Sequence, residues 1–234
     1  MIKVLMRGRN CAKYIRSALV SIQEQTLTDW ELLLVLDAPT DASAGLAFKI
    51  ADGDNRMRVM KLDEHRGLAW NMYQGALDLN AKAEDIVVVV DTDDTVREDA
   101  FEKVKKKHDL GYLVTHGSYV KRSKGKRTRI SGPYPKGAKV RKHAWRASHL
   151  KSFRYKAFEF LDESCFQHEQ KWLKAASDLA LMIPLIEVVG LDKVCFIKSE
   201  IYYWRDNTPH KTSSTAQKLC EKIIRKKTPL KRQF

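Results

Sequence analysis

Three carboxylates stand within four residues at Asp91-Thr92-Asp93-Asp94. Carboxylates this close repel one another unless a cation or water separates them. They end the apolar run Ile86-Val87-Val88-Val89-Val90, whose β-branched residues read as a strand buried on both faces. In an open α/β sheet the carboxyl ends of the strands face the ligand crevice. The cluster therefore points to a metal and phosphate site at the mouth of a nucleotide-binding sheet. The competing reading is a solvated acidic turn that caps a helix starting near Arg97.

The elements that must position this cluster alternate. Residues 3–6, 30–36, 57–62 and 86–90 read as strands. Residues 12–25, 43–50 and 68–79 read as helices between them. Such alternation implies an α/β fold, a mostly parallel sheet with helices on both faces. No Gly-x-Gly-x-x-Gly follows the first strand and no Walker A sequence occurs, which argues against a dinucleotide dehydrogenase or a P-loop enzyme. After Asp94 the pattern changes. Residues 97–107 form a charged helix, and 110–119 with 126–131 suit a hairpin. Residues 173–189 are apolar and helical with Pro184 as a potential kink, and 194–197 and 201–204 are short strands. Residues 215–227 form a basic helix with Leu219, Ile223 and Ile224 on one side.

Charge adds a second theme. The net charge is +14, and between Leu110 and Phe158 there are 14 Lys and Arg but no Asp or Glu. Soluble surfaces usually intersperse both signs, so this stretch points to a polyanionic partner. Its cations interleave with Tyr119, Tyr134, Trp145, Phe153 and Tyr155, which suits phosphate tracking and base stacking. The four cysteines are scattered, neither a zinc pattern nor a disulfide framework. No apolar stretch approaches the roughly 20 residues that cross a bilayer. The first residues lack a signal peptide's apolar core, and the expectation is a cytoplasmic protein.

Several blocks in order resemble family 2 glycosyltransferases of the GT-A fold, over some nine tenths of the chain. They are Arg9-Asn10 after the first strand, Ser21-Ile22-Gln23-Glu24-Gln25-Thr26 with Trp30-Glu31, and Asp37-Ala38-Pro39-Thr40-Asp41. Gly67 to Asn71 with Gly75, Asp91-Thr92-Asp93-Asp94, Ser177-Asp178 and Tyr202-Tyr203-Trp204-Arg205 follow. Leu36, Pro39, Trp70 and Ser177 depart from the family pattern. The resemblance implies a metal-dependent transfer of a sugar from a nucleotide-diphosphate sugar, a UDP-sugar by preference, to an acceptor hydroxyl. It makes Asp93, Asp91 and His210 candidate ligands of Mn²⁺ or Mg²⁺. Arg7, Asn10, Asp37, Arg66, Asn71, Asp91 and Arg205 become the nucleotide-sugar contacts, and Asp178 the base. Asp94 reads equally as a helix cap, and Asp178 also suits an N-cap. With one base and no second nucleophile, the expected course is single-displacement inversion.

The organisation implied is a nucleotide-sugar half over 1–108, an acceptor and base half over 109–210, and a basic C-terminal helix and tail over 211–234. The acid-free stretch falls in the acceptor half. Arg127, Arg129, Arg141, Lys142, Trp145 and Arg154 are then candidate contacts for DNA carrying a hydroxymethylated base, which the enzyme must extrude from the duplex. The rival acceptor is a cell-surface glycan or lipid-linked sugar, since the helix over 215–227 could lie on an anionic membrane. A nucleotidyltransferase or a non-catalytic nucleic-acid-binding protein are the readings from other classes.

Overall fold

In the computed structural model, the residues described are 1–121, 131–205 and 213–234, with the backbone of 127–128. Seven strands form the central sheet in the order β12-β6-β9-β4-β1-β2-β3. They are β1 (Ile2–Gly8), β2 (Trp30–Leu36), β3 (Met57–Lys61), β4 (Ile86–Asp91), β6 (Val114–Gly117), β9 (Ser148–Arg154) and β12 (Val194–Ile197). All run parallel except β9, which is antiparallel to both β4 and β6. A second sheet joins β5 (Thr95–Val96), β13 (Tyr202–Trp204), β7 (Tyr119–Lys121) and β8 (Arg127–Thr128). A short hairpin joins β10 (Gln167–His168) to β11 (Lys171–Trp172). The helices are α1 (Ala12–Gln23), α2 (Ser43–Ala51), α3 (Leu68–Leu77), α4 (Ala100–Asp109), α5 (Tyr155–Phe158), α6 (Ser177–Val189) and α7 (Ser214–Lys226).

Alternation along the strands builds two cores. Leu5, Leu33, Val35, Val87 and Val89 face α3 and α6. Val4, Leu32, Leu34, Val88 and Val90 face α1 and α4. Successive side chains of a strand point to opposite faces, so the unbroken apolar run of β4 is the signature of a strand covered on both sides.

The expected hairpin exists only in part. β7 pairs with β8 across Tyr119 and Thr128, whereas Val114–Gly117 joins the central sheet between β9 and β12. Pro184 does not split α6, which runs through to Val189. It is buried on nearly every face, from Ser177 to Val189, and this packing holds the helix where the proline removes one hydrogen bond. Cys11, Cys165 and Cys220 are buried and Cys195 half-buried, all as free thiols.

Candidate functional site

The carboxyl ends of β1 and β4 lie side by side, with Arg7 in register with Asp91. Together with the start of α6 they open on a cleft of about 680 Å³. Arg7 organises its floor. Its guanidinium is almost wholly buried and donates to Asp91 Oδ1 at 2.6 Å, Ser177 Oγ at 3.1 Å and Asp178 Oδ1 at 3.2 Å. Lys151, only 1% exposed, approaches Asp178 Oδ2 at 2.8 Å. A buried lysine is costly unless paired, and Asp178 supplies the pair.

Both carboxylates keep a face toward the cleft, with side-chain exposures of 31% for Asp91 and 27% for Asp178. Burial opposes ionisation at each. At Asp178 the cations of Lys151 and Arg7 outweigh it and hold the carboxyl far below its ordinary range. At Asp91 Arg7 outweighs burial and lowers the carboxyl below its ordinary value. The site thus keeps two stable carboxylates.

Asp94 takes another path. It is buried, and burial together with Asp91 and Asp93 pushes its carboxyl up to about 8. It receives the Tyr202 hydroxyl at 2.7 Å and the Arg205 backbone N–H at 2.7 Å. Asp94 is therefore an internal brace between β13 and the acidic loop. Arg205 completes the brace: its Nε donates to the carbonyl of Asp93 at 3.1 Å and its guanidinium lies over Tyr14. It supports the loop from behind and is not among the residues lining the cleft.

The other expected residues are distributed as follows. Asn10, Asp37, Asn71, Asp93 and Trp145 line the same cleft as Arg7, Asp91 and Asp178. Asn10, in the left-handed region at φ 48°, ties the loop after β1 to Thr40 after β2. Asp41 binds the N–H groups of Ala12 and Ser43, bracing the starts of α1 and α2. Asp37 is almost wholly buried and accepts from the N–H groups of Arg66 at 2.7 Å and Gly67 at 3.0 Å, with His65 Nδ1 at 2.8 Å. Arg66 contributes that backbone group, while its side chain pairs with Glu64 and lies near Trp70, and it is not among the residues lining the cleft. The Oδ1 of Asn71 is fully buried and has no hydrogen-bond partner among the described residues.

Of the three cations in the acceptor set whose side chains are described, two are drawn inward. Arg141 is buried, bidentate on Glu187 and bonded to the carbonyl of Ile224. Arg154 is tied to the carbonyl of Glu84 and faces Asp109 at 3.8 Å. Lys142 is exposed. Arg129 and His210 lie outside the described residues, and Arg127 is described by its backbone alone. The basic helix over 215–227 also spends charge internally. Arg225 donates to the carbonyls of Val140, Arg141 and His143, and Lys227 to those of Ser164, Cys165 and Gln167.

Sequence reading missed Lys151, which it counted only as one cation of the basic stretch. It missed His149, stacked on Tyr202 at 4.4 Å and 3.0 Å from Lys151 Nζ. Gln217 and Glu221 of α7 also line the cleft unforeseen. The residues present fit a hard divalent cation. Mg²⁺ takes one or two carboxylates plus substrate phosphates, and Asp91 and Asp93 supply such a pair. Among the described residues no three metal-ligating side chains converge.

Known proteins resemble the chain in sequence and in fold. The chain is 32% identical over 106 residues to glycosyltransferase GlyA of Streptococcus pneumoniae serotype 4, covering 45% of this chain and 15% of that protein. It is 28% identical over 120 residues to an uncharacterized glycosyltransferase of Haemophilus influenzae, covering 51% of this chain and 47% of that one. The chain spans between 15% and 47% of the curated relatives it matches. In fold it is similar to S. aureus TarS 1–349 in complex with UDP, with a TM-score of 0.68 at 18% identity over 87% of this chain and 60% of that one. The model of glycosyl transferase family 2 matches residues 4–175. With that match spanning most of its length, from β1 to the threshold of α6, the chain belongs to glycosyl transferase family 2.

Proposed function

We propose that the protein transfers a sugar from a nucleoside-diphosphate sugar, with inversion, to the hydroxyl of a hydroxymethylated base in DNA. The observation that carries the transfer chemistry is Asp178, an ionised carboxylate anchored by Arg7 and Lys151 in the same cleft as Asp91 and Asp93. A general base must reach the acceptor hydroxyl and be deprotonated when it arrives. Asp178 takes the hydroxyl proton as the acceptor oxygen bonds to the anomeric carbon. The bond from that carbon to the diphosphate breaks, and its electron pair leaves on the phosphate oxygen. One displacement inverts the configuration. Mn²⁺ or Mg²⁺ held by Asp93 and Asp91 would offset the charge that develops on the leaving diphosphate. Asn10, Asp37 and Asn71 form the donor side of the cleft. A uridine donor is favoured because the similar TarS structures hold UDP and UDP-GlcNAc.

DNA as acceptor rests on the cations that remain outward. Lys136, Lys139 and Lys142 are exposed on the segment that leads to Trp145, and such lysines suit a phosphate backbone passing the cleft mouth. A glycan or lipid-linked sugar is the second reading. It is favoured by α7, whose Leu219 is 58% exposed between Lys218 and Lys222, a pattern that suits an anionic membrane surface. No described helix is long and apolar enough to cross a membrane. The test is transfer from a panel of UDP-sugars with Mn²⁺ to duplex DNA with and without hydroxymethylated bases. Incorporation of sugar into the modified duplex is expected. The Asp178→Asn variant should be slower by roughly 10²–10⁴-fold. Rapid transfer to a glycan with none to hydroxymethylated DNA refutes the DNA reading. Liposome flotation against DNA retardation at one salt concentration separates the two surfaces.

A further inference from the structure

The cleft has a wall that the family likeness does not cover. α7 begins at Ser214, beyond the matched residues 4–175, yet it contributes Gln217 and Glu221 to the lining. These two are four residues apart, so they sit together on one face of the helix. Each presents a defined end. The Oε1 of Gln217 accepts the backbone N–H of Ala176 at 3.1 Å, which leaves its NH₂ group as the end without a partner among the described residues. Glu221 gives Oε1 to both Nε and Nη2 of Arg225, each at 2.8 Å, which leaves Oε2 as an acceptor. Trp145 lines the same cleft, half-buried against the core around α6.

The wall therefore offers an indole ring, one amide donor and one carboxylate acceptor. A pyrimidine presents a ring face together with adjacent donors and acceptors on its Watson–Crick edge, and enzymes acting on an extruded base read it by stacking and by that edge. We propose that Trp145, Gln217 and Glu221 form the subsite that receives the extruded hydroxymethylpyrimidine, with the ring on Trp145 and its edge on the α7 pair. This assignment rests on the DNA reading above. Gln217 has a second task. Ala176 is in the left-handed region at φ 58° and immediately precedes Ser177 and Asp178. The bond from Ala176 to Gln217 makes the residue that reads the base also hold the turn that positions the base catalyst.

The experiment uses the full chain with a UDP-sugar donor and Mn²⁺. The acceptors are duplexes carrying 5-hydroxymethyluracil or 5-hydroxymethylcytosine, the unmodified duplex, and an alkyl glycoside. The readout is the ratio of transfer to donor hydrolysis. Gln217→Glu keeps an acceptor for the Ala176 N–H but loses the amide donor. Glu221→Gln and Trp145→Ala remove the other two elements. Each substitution is expected to lower the ratio on hydroxymethylated DNA about tenfold or more, mainly through KM for the duplex. Wild-type transfer to DNA with the ratio unchanged in Gln217→Glu and Glu221→Gln overturns the subsite and leaves the DNA reading standing. Transfer by the wild type to the glycoside and not to DNA overturns both.

Discussion

At the scale of single residues, the site turns on how one carboxylate is kept charged. Asp178 is partly buried, which disfavours the anion, and Lys151 and Arg7 reverse that. Removing one cation should therefore raise its pKa. A base acts in its ionised form, so activity falls as pH drops through that pKa, and a raised pKa moves the acid limb to higher pH. Lys151→Met should bring the acid limb of kcat/KM up toward the ordinary carboxylate range of about 3.9, whereas the parent's lies well below it, the effect expected of losing an opposite charge in contact. A limb at the same pH in both proteins would show that Asp178 is not the ionising base. The neighbouring aspartates should separate cleanly. Asp93 lines the cleft, whereas Asp94 is a buried acceptor for Tyr202 and Arg205. Asp93→Ala should abolish transfer with little change in unfolding temperature. Asp94→Ala leaves two buried donors unsatisfied and should cost about 1–3 kcal/mol, read as a lower midpoint in urea. The reverse pattern would exchange their roles.

Among the elements, β1 and the acidic loop are fitted to each other through a missing side chain. A Cβ on Gly8 would fall 2.0 Å from Thr92 Oγ1 and 2.9 Å from Thr92 Cβ. Thr92 is itself buried between Asp91 and Asp93. Gly8→Ala must push the loop outward, and its expected effect is a rise of about tenfold or more in KM for the nucleotide sugar, because an ångström of misplacement at a site is costly. Unchanged donor affinity would show that Thr92 can turn aside without moving the aspartates. Such fits explain what the amino-acid sequence does and does not disclose. Strands β1, β2 and β4 are legible as short, nearly unbroken apolar runs, and helices α1 and α3 because their apolar residues recur at the helical period. β9 is not. Ser148–Arg154 is mostly polar yet buried from Leu150 to Phe153, because its polar groups find partners across the fold. Lys151 meets Asp178, and Ser152 meets His108 and Thr115. The acidic cluster and Asp178 could be found from residue type and order. Lys151, Gln217 and Glu221 could not, since their meaning comes from contacts that only the folded chain creates.

For the molecule as a whole, the excess of positive charge divides into two populations. Arg141, Lys151, Arg225 and Lys227 are consumed in holding β9, α6 and α7 together, while Lys136, Lys139 and Lys142 remain exposed. The same economy leaves three histidines neutral, His108 and His116 buried and His149 half-buried. Burial is the chief cause in each, and it brings His108, His116 and His149 down to about 4. The unfolded chain takes up a proton at each near pH 6.5, whereas the folded protein does so only near 4. Stability is thus full above the unfolded pKa and is lost as pH falls from about 6.5 toward 4, by about 1.4 kcal/mol per pH unit for each histidine. Asp94 works in the opposite direction, because its raised carboxyl binds a proton in the fold below about 8. Comparing a variant with its parent removes that contribution. His108 is suited to the test, since its ring contacts the carbonyl of Tyr112 and the hydroxyl of Ser152 away from the cleft. His108→Gln should be less stable at pH 7 by about 1–3 kcal/mol, with a pH dependence between 6.5 and 4 shallower by about 1.4 kcal/mol per unit. Urea unfolding at half-unit intervals measures both. Parallel curves for variant and parent would mean that His108 is already protonated in the folded protein, with His108 and the hydroxyls of Ser152 and Thr115 then forming a charged network behind β9 in place of a neutral one.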